Sequence, residues 1–275
     1  MENAVRFAAR DIIPADIDEM VLGWSKVGGE AHMATDLAQT KQPIKEKEGE
    51  KPKEPSTEEP KKTVSVFITA APKDIVDRYI AVFEKLQITL LSLELETFSL
   101  SRSLLPSDAK ATLLVDFGAR ATTFHIIDGG IPRVSHTIDF GGYDITKNLA
   151  DALHVSEAEA EQTKNTLGIS EKQQSEARTN IESLLKRQIE KAKELSVRYE
   201  ERELHKIEKS ILIGGGSNLV GVAPYWAKEL GVETKIGDPW KGLSYAGGIE
   251  TVLKKNGPRF GVAVGLALRS FTHVQ

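Results

Sequence analysis

The chain has no cysteine, which excludes a disulfide framework, thiolate zinc sites, iron–sulfur clusters and a cysteine nucleophile. Long apolar runs are also missing: no stretch approaches the roughly 18–20 residues that span a bilayer. The opening MENAVRFAARDIIP lacks the apolar stretch of about 7–15 residues that marks a signal peptide. Neither charge dominates, with 36 Lys+Arg against 40 Asp+Glu and a net charge of −4, whereas a dedicated nucleic-acid binder usually carries a basic excess. The expectations are no nucleic-acid partner, no direct membrane insertion and a cytoplasmic location.

Several familiar motifs are absent too. No G-x-x-x-x-G-K-[ST] occurs, so there is no P-loop. Gly214–Leu219 reads G-G-G-S-N-L and fails the dinucleotide pattern G-x-G-x-x-G at its last position. There is no G-x-S-x-G elbow, and histidines 32, 125, 136, 154, 205 and 273 show no metal-ligand spacing.

What is present is a 275-residue chain, 40% apolar, long enough for one large domain or two modest ones. Residues 41–62, KQPIKEKEGEKPKEPSTEEPKK, hold seven Lys, six Glu and four Pro, with Ile44 as the single large apolar side chain. Such a segment buries too little surface to offset its ordering entropy, and it is expected to be a mobile tether within a disordered insertion at about 37–62. Upstream, Val5, Ala8, Ala9 and Ile12 are spaced for a helix, and Met20–Val27 reads as a strand. Downstream, Val64–Ala70 is a strand, and Pro72 opens a helix with Ile75, Val76, Tyr79, Ile80, Phe83 and Leu86 on one stripe. Ile88–Leu95 reads as another strand and Phe98–Leu105 as a short helix. Residues 1–95 thus form a small α+β unit.

The second region, 96–275, opens with strands Thr112–Asp116, Ala121–Ile127 and Arg133–Ile138, joined by glycine turns into a meander. A helical lobe follows over about 144–209: Asp144–Leu153, a helix capped by Ser156 and Glu159, and a long helix from about Ser175 to Lys206 with an apolar stripe. Strand Ser210–Ile213 runs directly into Gly214-Gly215-Gly216-Ser217 and a helix, Leu219–Leu230. Strand Val232–Ile236 and helix Val262–Ser270 close the chain.

Two glycine turns at strand ends carry the chemistry. Asp116-Phe117-Gly118-Ala119 ends an apolar strand with a carboxylate that can hold hydrated Mg²⁺, followed by small residues whose amides can approach phosphate oxygens. Gly214–Ser217 joins strand to helix, where small residues admit a flat ligand and a helix N-terminus favours anions. Taken singly, either is equally readable as an ordinary tight turn.

In combination and order, these pieces resemble the PilM family, actin-like cytoplasmic proteins of type IV pilus assembly, and more distantly the FtsA and MreB families. The matching stretches are LLVDFGARATTFHIIDGGIP (113–132), IDFGGYDITKNLADAL (138–153), AEAEQTKNTLGI (158–169), SILIGGGSNLVGV (210–222) and GVAVGLALRS (261–270). AVRFAARDIIPADIDEMVLGW (4–24) and VFITAAPKDIVDRYIAVFEKLQITLLSLELETFSLSRSL (66–104) are similar to that family's inserted small subdomain and its continuation. The resemblance implies an α/β, actin-like (ribonuclease H-like) fold with an inserted α+β subdomain of the SHS2 type, and ATP and Mg²⁺ as ligands.

Residue by residue, it implies that Asp116, Gly118, Ala119, Thr122 and Thr123 form the second phosphate motif, with Asp116 associated with the metal through water. Glu161 and Lys164 match the acid–lysine pair that contacts ribose and base, and Gly215, Gly216 and Ser217 the adenosine motif. Gly141, Gly142 and Asp144 match the GG-x-D turn. Glu96 matches the position that orients attacking water, and reads equally well as a helix N-terminal acid favoured by the dipole.

The family's first phosphate motif, D-x-G-[ST], does not precede the small subdomain here. The expectation is an N-terminally incomplete actin-like core with weakened nucleotide binding, doubtful hydrolysis and an unpaired sheet edge. The leading function is therefore a cytoplasmic nucleotide-binding scaffold of the type IV pilus (or related secretion) machine. It would lie peripheral to the inner membrane through the cytoplasmic tail of a PilN-like partner, with self-association left open. The alternatives are a cell-division or shape protein of the FtsA/MreB type and a sugar-kinase-like phosphotransferase. The partner surface is expected near residues 4–27 and 64–92, where Trp24 beside Gly28-Gly29 reads as an interface anchor or as core packing.

Overall fold

The computed structural model describes residues 2–26, 66–170 and 175–272. The predicted tether and the Gly28-Gly29 turn lie outside the described residues. The chain divides into two compact units, Met1–Glu94 and Leu95–Gln275.

In the first unit, helix α1 (Glu2–Ile12) leads through a 3₁₀ turn (Ile17–Glu19) into strand β1 (Met20–Lys26). Asp16 starts that turn by accepting a hydrogen bond from the Asp18 amide at 2.9 Å. β1 pairs antiparallel with β2 (Val66–Pro72), Met20 facing Pro72 and Lys26 facing Val66. Helix α2 (Lys73–Lys85) follows at once, because Pro72 is extended and its missing N–H is one that a helix start leaves unbonded anyway. The buried apolar set is small: Val5, Ala9, Ile17 and Val76.

Three sequence expectations shift here. The buried stripe of α1 narrows to Val5 and Ala9, while Ala8 and Ile12 are exposed. The expected single stripe of α2 splits in two. Val76 is buried with Ile80 and Phe83 half-covered, whereas Ile75, Tyr79, Val82 and the following Leu86 face outward. Residues 88–95 form no strand; apolar and β-branched composition suits a pleated surface, but a strand needs a ladder partner and this run has none among the described residues.

The second unit is built on a five-stranded sheet in the order β5-β4-β3-β6-β7, with β5 and β7 at its margins. Strands β3 (Thr112–Phe117), β4 (Thr122–Asp128) and β5 (Ile131–Ile138) form the antiparallel meander. β6 (Lys209–Ile213) and β7 (Glu233–Ile236) add in parallel beside β3. The run TLLVDF alternates between the two faces, as a pleated strand must. Leu113, Val115 and Phe117 enter one core with residues of helices α4 (Gly142–Leu153), α5 (Glu157–Leu167), α6 (Glu176–Glu203) and α7 (Val222–Leu230). Leu114 enters the opposite core with Leu100 of α3 (Glu96–Leu104), Ile127, Ile211 and Ile213, and Val262 of α9 (Gly261–Thr272) packs against it. By the same alternation Asp116 belongs to the α3 side of the sheet. Short helix α8 (Glu250–Asn256) precedes a 3₁₀ turn, Gly257–Arg259, that leads into α9.

Helix boundaries follow local chemistry. Ser156 accepts from the Glu159 amide at 3.3 Å while the Glu159 carboxylate accepts from the Ser156 amide at 3.0 Å, a reciprocal cap that fixes the start of α5. At α6 the apolar stripe Ile181, Leu185, Ile189, Ala192, Leu195 and Tyr199 is buried against the sheet's helical face. Among the described residues, no helix is long and apolar enough to cross a membrane.

Candidate functional site

The parallel strands β3 and β6 end side by side, and each runs into glycine. A crevice at the carboxyl ends of neighbouring parallel strands is where open α/β sheets place ligands. After β3, the Gly118 amide donates to the Ala121 carbonyl at 3.0 Å, closing the turn to β4. This turn is stitched to the start of α4: the amides of Gly142 and Tyr143 donate to the carbonyls of Gly118 and Ala119 at 3.0 and 2.7 Å. The approach is so close that a Cβ on Gly141 would sit 2.5 Å from the Ala119 carbonyl group, which explains a glycine there. Asp144 completes the join by accepting from the Gly141 amide at 2.8 Å.

After β6, the glycine run corrects an expectation. Gly215–Asn218 folds as its own 3₁₀ turn, and α7 begins only at Val222, capped by Gly221 with φ +80°. The run is therefore not a helix N-terminus. Gly214, with φ +83°, passes so close to the Asp116 carboxylate and the Phe117 carbonyl that a side chain there would collide with both.

Between these turns and helices α4 and α5 opens a cavity of about 670 Å³, a size suited to a small organic ligand. Of the residues singled out from the sequence, Gly118, Ala119, Gly142, Glu161, Lys164, Gly215 and Gly216 line it. Glu161 and Lys164, one turn apart on α5, form an ion pair at 2.6 Å. Lys164 is almost wholly buried, and its ammonium also donates to the Gly142 carbonyl at 2.9 Å and the Thr146 hydroxyl at 2.7 Å. Glu161 accepts in addition from the Thr146 hydroxyl and, at 3.0 Å, from Asn165. Burial pushes the Glu161 carboxyl up, but the hydrogen bonds from Lys164, Thr146 and Asn165 outweigh it and leave its pKa below the usual carboxylate value.

The remaining predicted residues do not line the cavity. Thr122 is buried, donating to the Phe140 carbonyl at 2.8 Å and accepting from Gln188 at 3.0 Å. Thr123 pairs across strands with Thr137 at 3.1 Å. The Ser217 hydroxyl donates to the Gly214 carbonyl at 2.7 Å and so braces the turn from inside. Asp116 lies behind Gly214, at the end of β3. Burial, reinforced by the negative charge of Glu96 at the start of α3, raises its pKa to about 6. No hydrogen bond reaches its carboxylate among the described residues. Two mutually repelling carboxylates, one without donors, form a setting that a divalent cation relieves. Yet no group of three or more His, Asp or Glu that could hold a metal occurs among the described residues.

Sequence reasoning missed Tyr143, Glu157, Thr146, Asn165, Leu219 and Arg259 in the cavity wall. The first three lie in or beside the recognised GG-x-D turn and the Ser156 cap, so they could have been found by proximity. Arg259 could not, because it reaches the wall through tertiary contact: the Gly214 amide donates to the Pro258 carbonyl at 2.8 Å.

The family model described as type IV pilus assembly protein PilM matches residues 53–271. Among solved structures, the chain is similar to the PilM–PilN type IV pilus biogenesis complex, with a TM-score of 0.71 and 25% identity over 98% of this chain and 71% of that one. MreB5 of Spiroplasma citri bound to ADP gives 0.55 at 15% identity, over 74% of this chain and 67% of that one. The ethanolamine utilization protein EutJ from Carboxydothermus hydrogenoformans gives 0.51 at 18%, over 70% and 60%. Fold and cavity therefore place the protein in the actin-like class. Within that class, the chain belongs to the type IV pilus assembly protein PilM family.

Proposed function

We propose that the chain is a nucleotide-binding scaffold of the pilus assembly machine, peripheral to the inner membrane, that holds the cytoplasmic tail of a PilN-like partner rather than turning over substrate. The observation that carries the nucleotide reading is the cavity itself. Small-residue turns after two parallel strands face the buried Lys164 and its ion-pair partner Glu161 across a space of ligand size. The partner reading is supported by family membership and by the likeness to a PilM–PilN complex.

ATP and Mg²⁺ fit the residues present. Gly215 and Gly216 bring backbone without side chains to the cavity wall, Gly118 and Ala119 offer a small-residue turn to phosphates, and Asp116 with Glu96, behind Gly214, supplies the negative charge that would draw a hydrated cation. Mg²⁺, when bound, supplies charge that offsets the phosphates. Glu161, Thr146 and Lys164 hold the α4–α5 wall in shape around the ligand. Positioning is most of phosphoryl-transfer catalysis, and the scaffold reading takes nucleotide binding rather than turnover as the role of this cavity.

Calorimetry with ATP and Mg²⁺ tests the reading. Weak binding that disappears in Asp116→Ala is expected, with no steady-state hydrolysis. Sub-micromolar affinity surviving Asp116→Ala would refute the placement of the cation, and measurable hydrolysis by the chain alone would overturn the scaffold reading.

A further inference from the structure

The charged side chains of the cavity wall are Glu157, Glu161, Lys164 and Arg259. An ammonium has three N–H donors, and those of Lys164 are engaged by Glu161, Thr146 and Gly142. Arg259 is different. Although two carboxylates line the same cavity, its guanidinium has no ion pair and no hydrogen-bond acceptor among the described residues. It runs instead alongside Gly215, with Nε 3.6 Å and Nη2 4.0 Å from the position a Cβ there would take. A side chain at that position would cover the guanidinium, and glycine leaves it bare.

The turn that carries Arg259 is held firmly. Gly257 and Pro258 are buried, the Pro258 carbonyl accepts from the Gly214 amide at 2.8 Å, and the Trp240 indole covers Gly257 so closely that a Cβ would lie 3.0 Å from Nε1. Trp240 in turn donates to the Leu253 carbonyl at 3.0 Å and packs against the Phe260 ring at 5.9 Å. A fixed backbone thus holds a planar cation beside the turn that follows β6. The neighbouring wall there is Leu219 and the backbone of Gly216, which rests on the buried Phe117 ring. A bare guanidinium set among apolar and side-chain-free surface is suited to lie against the face of an aromatic ring.

We infer that Arg259 is the base-stacking residue of this cavity: its guanidinium lies against the face of the nucleotide's base and gives the site a hold on the nucleoside as well as on the nucleotide. The inference rests on the nucleotide reading of the cavity, in which the turn after β6 takes the adenosine end and the Gly118–Ala119 turn the phosphates. It adds the side chain that grips the base and the force by which it does so.

Titration calorimetry of the full chain with ATP and with adenosine, for the parent, R259Q, R259K and R259Y, tests it, with thermal melts to verify folding. In R259Q both ligands are expected to weaken by the same factor, about three- to tenfold. R259Y restores a flat face without the charge and should recover more of that loss than R259K, which restores the charge without the plane. A loss for ATP alone would mean a phosphate contact and overturns the inference. So does unchanged affinity for both ligands, recovery by R259K with none by R259Y, or a parent that binds ATP but not adenosine; each of these leaves the cavity assignment standing. A parent protein that binds neither ligand overturns both.

Discussion

Lys164 Nζ donates to the Gly142 carbonyl at 2.9 Å, which ties α5 to the first turn of α4 directly behind the Gly118 turn. With Thr146 and Glu161 also bound, the ammonium is saturated by protein atoms. Any contact of Lys164 with a ligand's ribose or base must therefore displace one of these partners, and its first role is to hold the wall together.

Lys164→Met keeps the aliphatic stem and removes the charge. It leaves the Gly142 carbonyl and one Glu161 oxygen short of a donor, so a stability loss of about 1–3 kcal/mol is expected. Urea denaturation followed by circular dichroism measures this. A variant as stable as the parent would show that water replaces the ammonium at no cost.

The two cavity glycines should respond differently to a methyl group. At Gly215 an added Cβ meets only the Arg259 side chain, at 3.6 Å, which is ordinary contact with a movable group. At Gly216 the same atom would run into the Phe117 ring, which is fully buried in the core. Gly215→Ala is therefore expected to stay within about 0.5 kcal/mol of the parent, and Gly216→Ala to lose about 1–3 kcal/mol through overpacking. Thermal melts of the pair decide it, and equal losses would contradict the packing described for this turn.

His125 gives a pH dependence. It is 2% exposed on β4, with Nδ1 3.0 Å from the Thr97 hydroxyl and 3.1 Å from that of Ser135, while Nε2 is buried without a partner. Burial lowers its pKa to about 4. The unfolded chain then binds this proton more tightly than the folded one. Stability is fully present above the unfolded value near 6.5 and falls as pH drops from there toward 4, by about 3 kcal/mol at most. Denaturation of the parent and of His125→Gln between pH 7.5 and 4 checks the sign: the parent should lose stability more steeply than the variant. A variant with the same slope would assign the acid limb to other groups.

Much of this architecture is legible in the residues themselves. The alternation of TLLVDF, the Ser156–Glu159 cap and the stripe from Ile181 to Tyr199 each encode a local rule that the fold obeys. What was hidden is tertiary. Residues 88–95 look like a strand until one asks what would pair with them. Arg259 reaches the cavity only because a backbone bond joins Pro258 to Gly214, some 44 positions earlier in the chain. Thr122 matches the phosphate motif and Ser217 the adenosine motif by position, yet their hydroxyls are engaged by the Phe140 and Gly214 carbonyls, which no spacing argument reveals.

The partner's tail is predicted to seat on the first unit. Ile75, Tyr79, Val82 and Leu86 follow one another at helical spacing along and just beyond α2, and all four are exposed, Leu86 by 60%. A row of large apolar side chains facing outward, with an aromatic among them, is the surface type enriched at interface hot spots. Trp24, half-buried on β1 opposite Ile68, borders the same small sheet. Because these α2 side chains make few native contacts, Val82→Asp and Leu86→Asp should leave folding intact, within about 0.5 kcal/mol. In binding assays with the full chain and a synthetic peptide of a PilN-like cytoplasmic tail, each substitution is expected to weaken binding by about tenfold, since it places a charge in a desolvated contact. ATP affinity should not change. Tail binding unaffected by either substitution, but lost on altering exposed residues of the second unit such as Tyr143, would move the contact surface to the actin-like core.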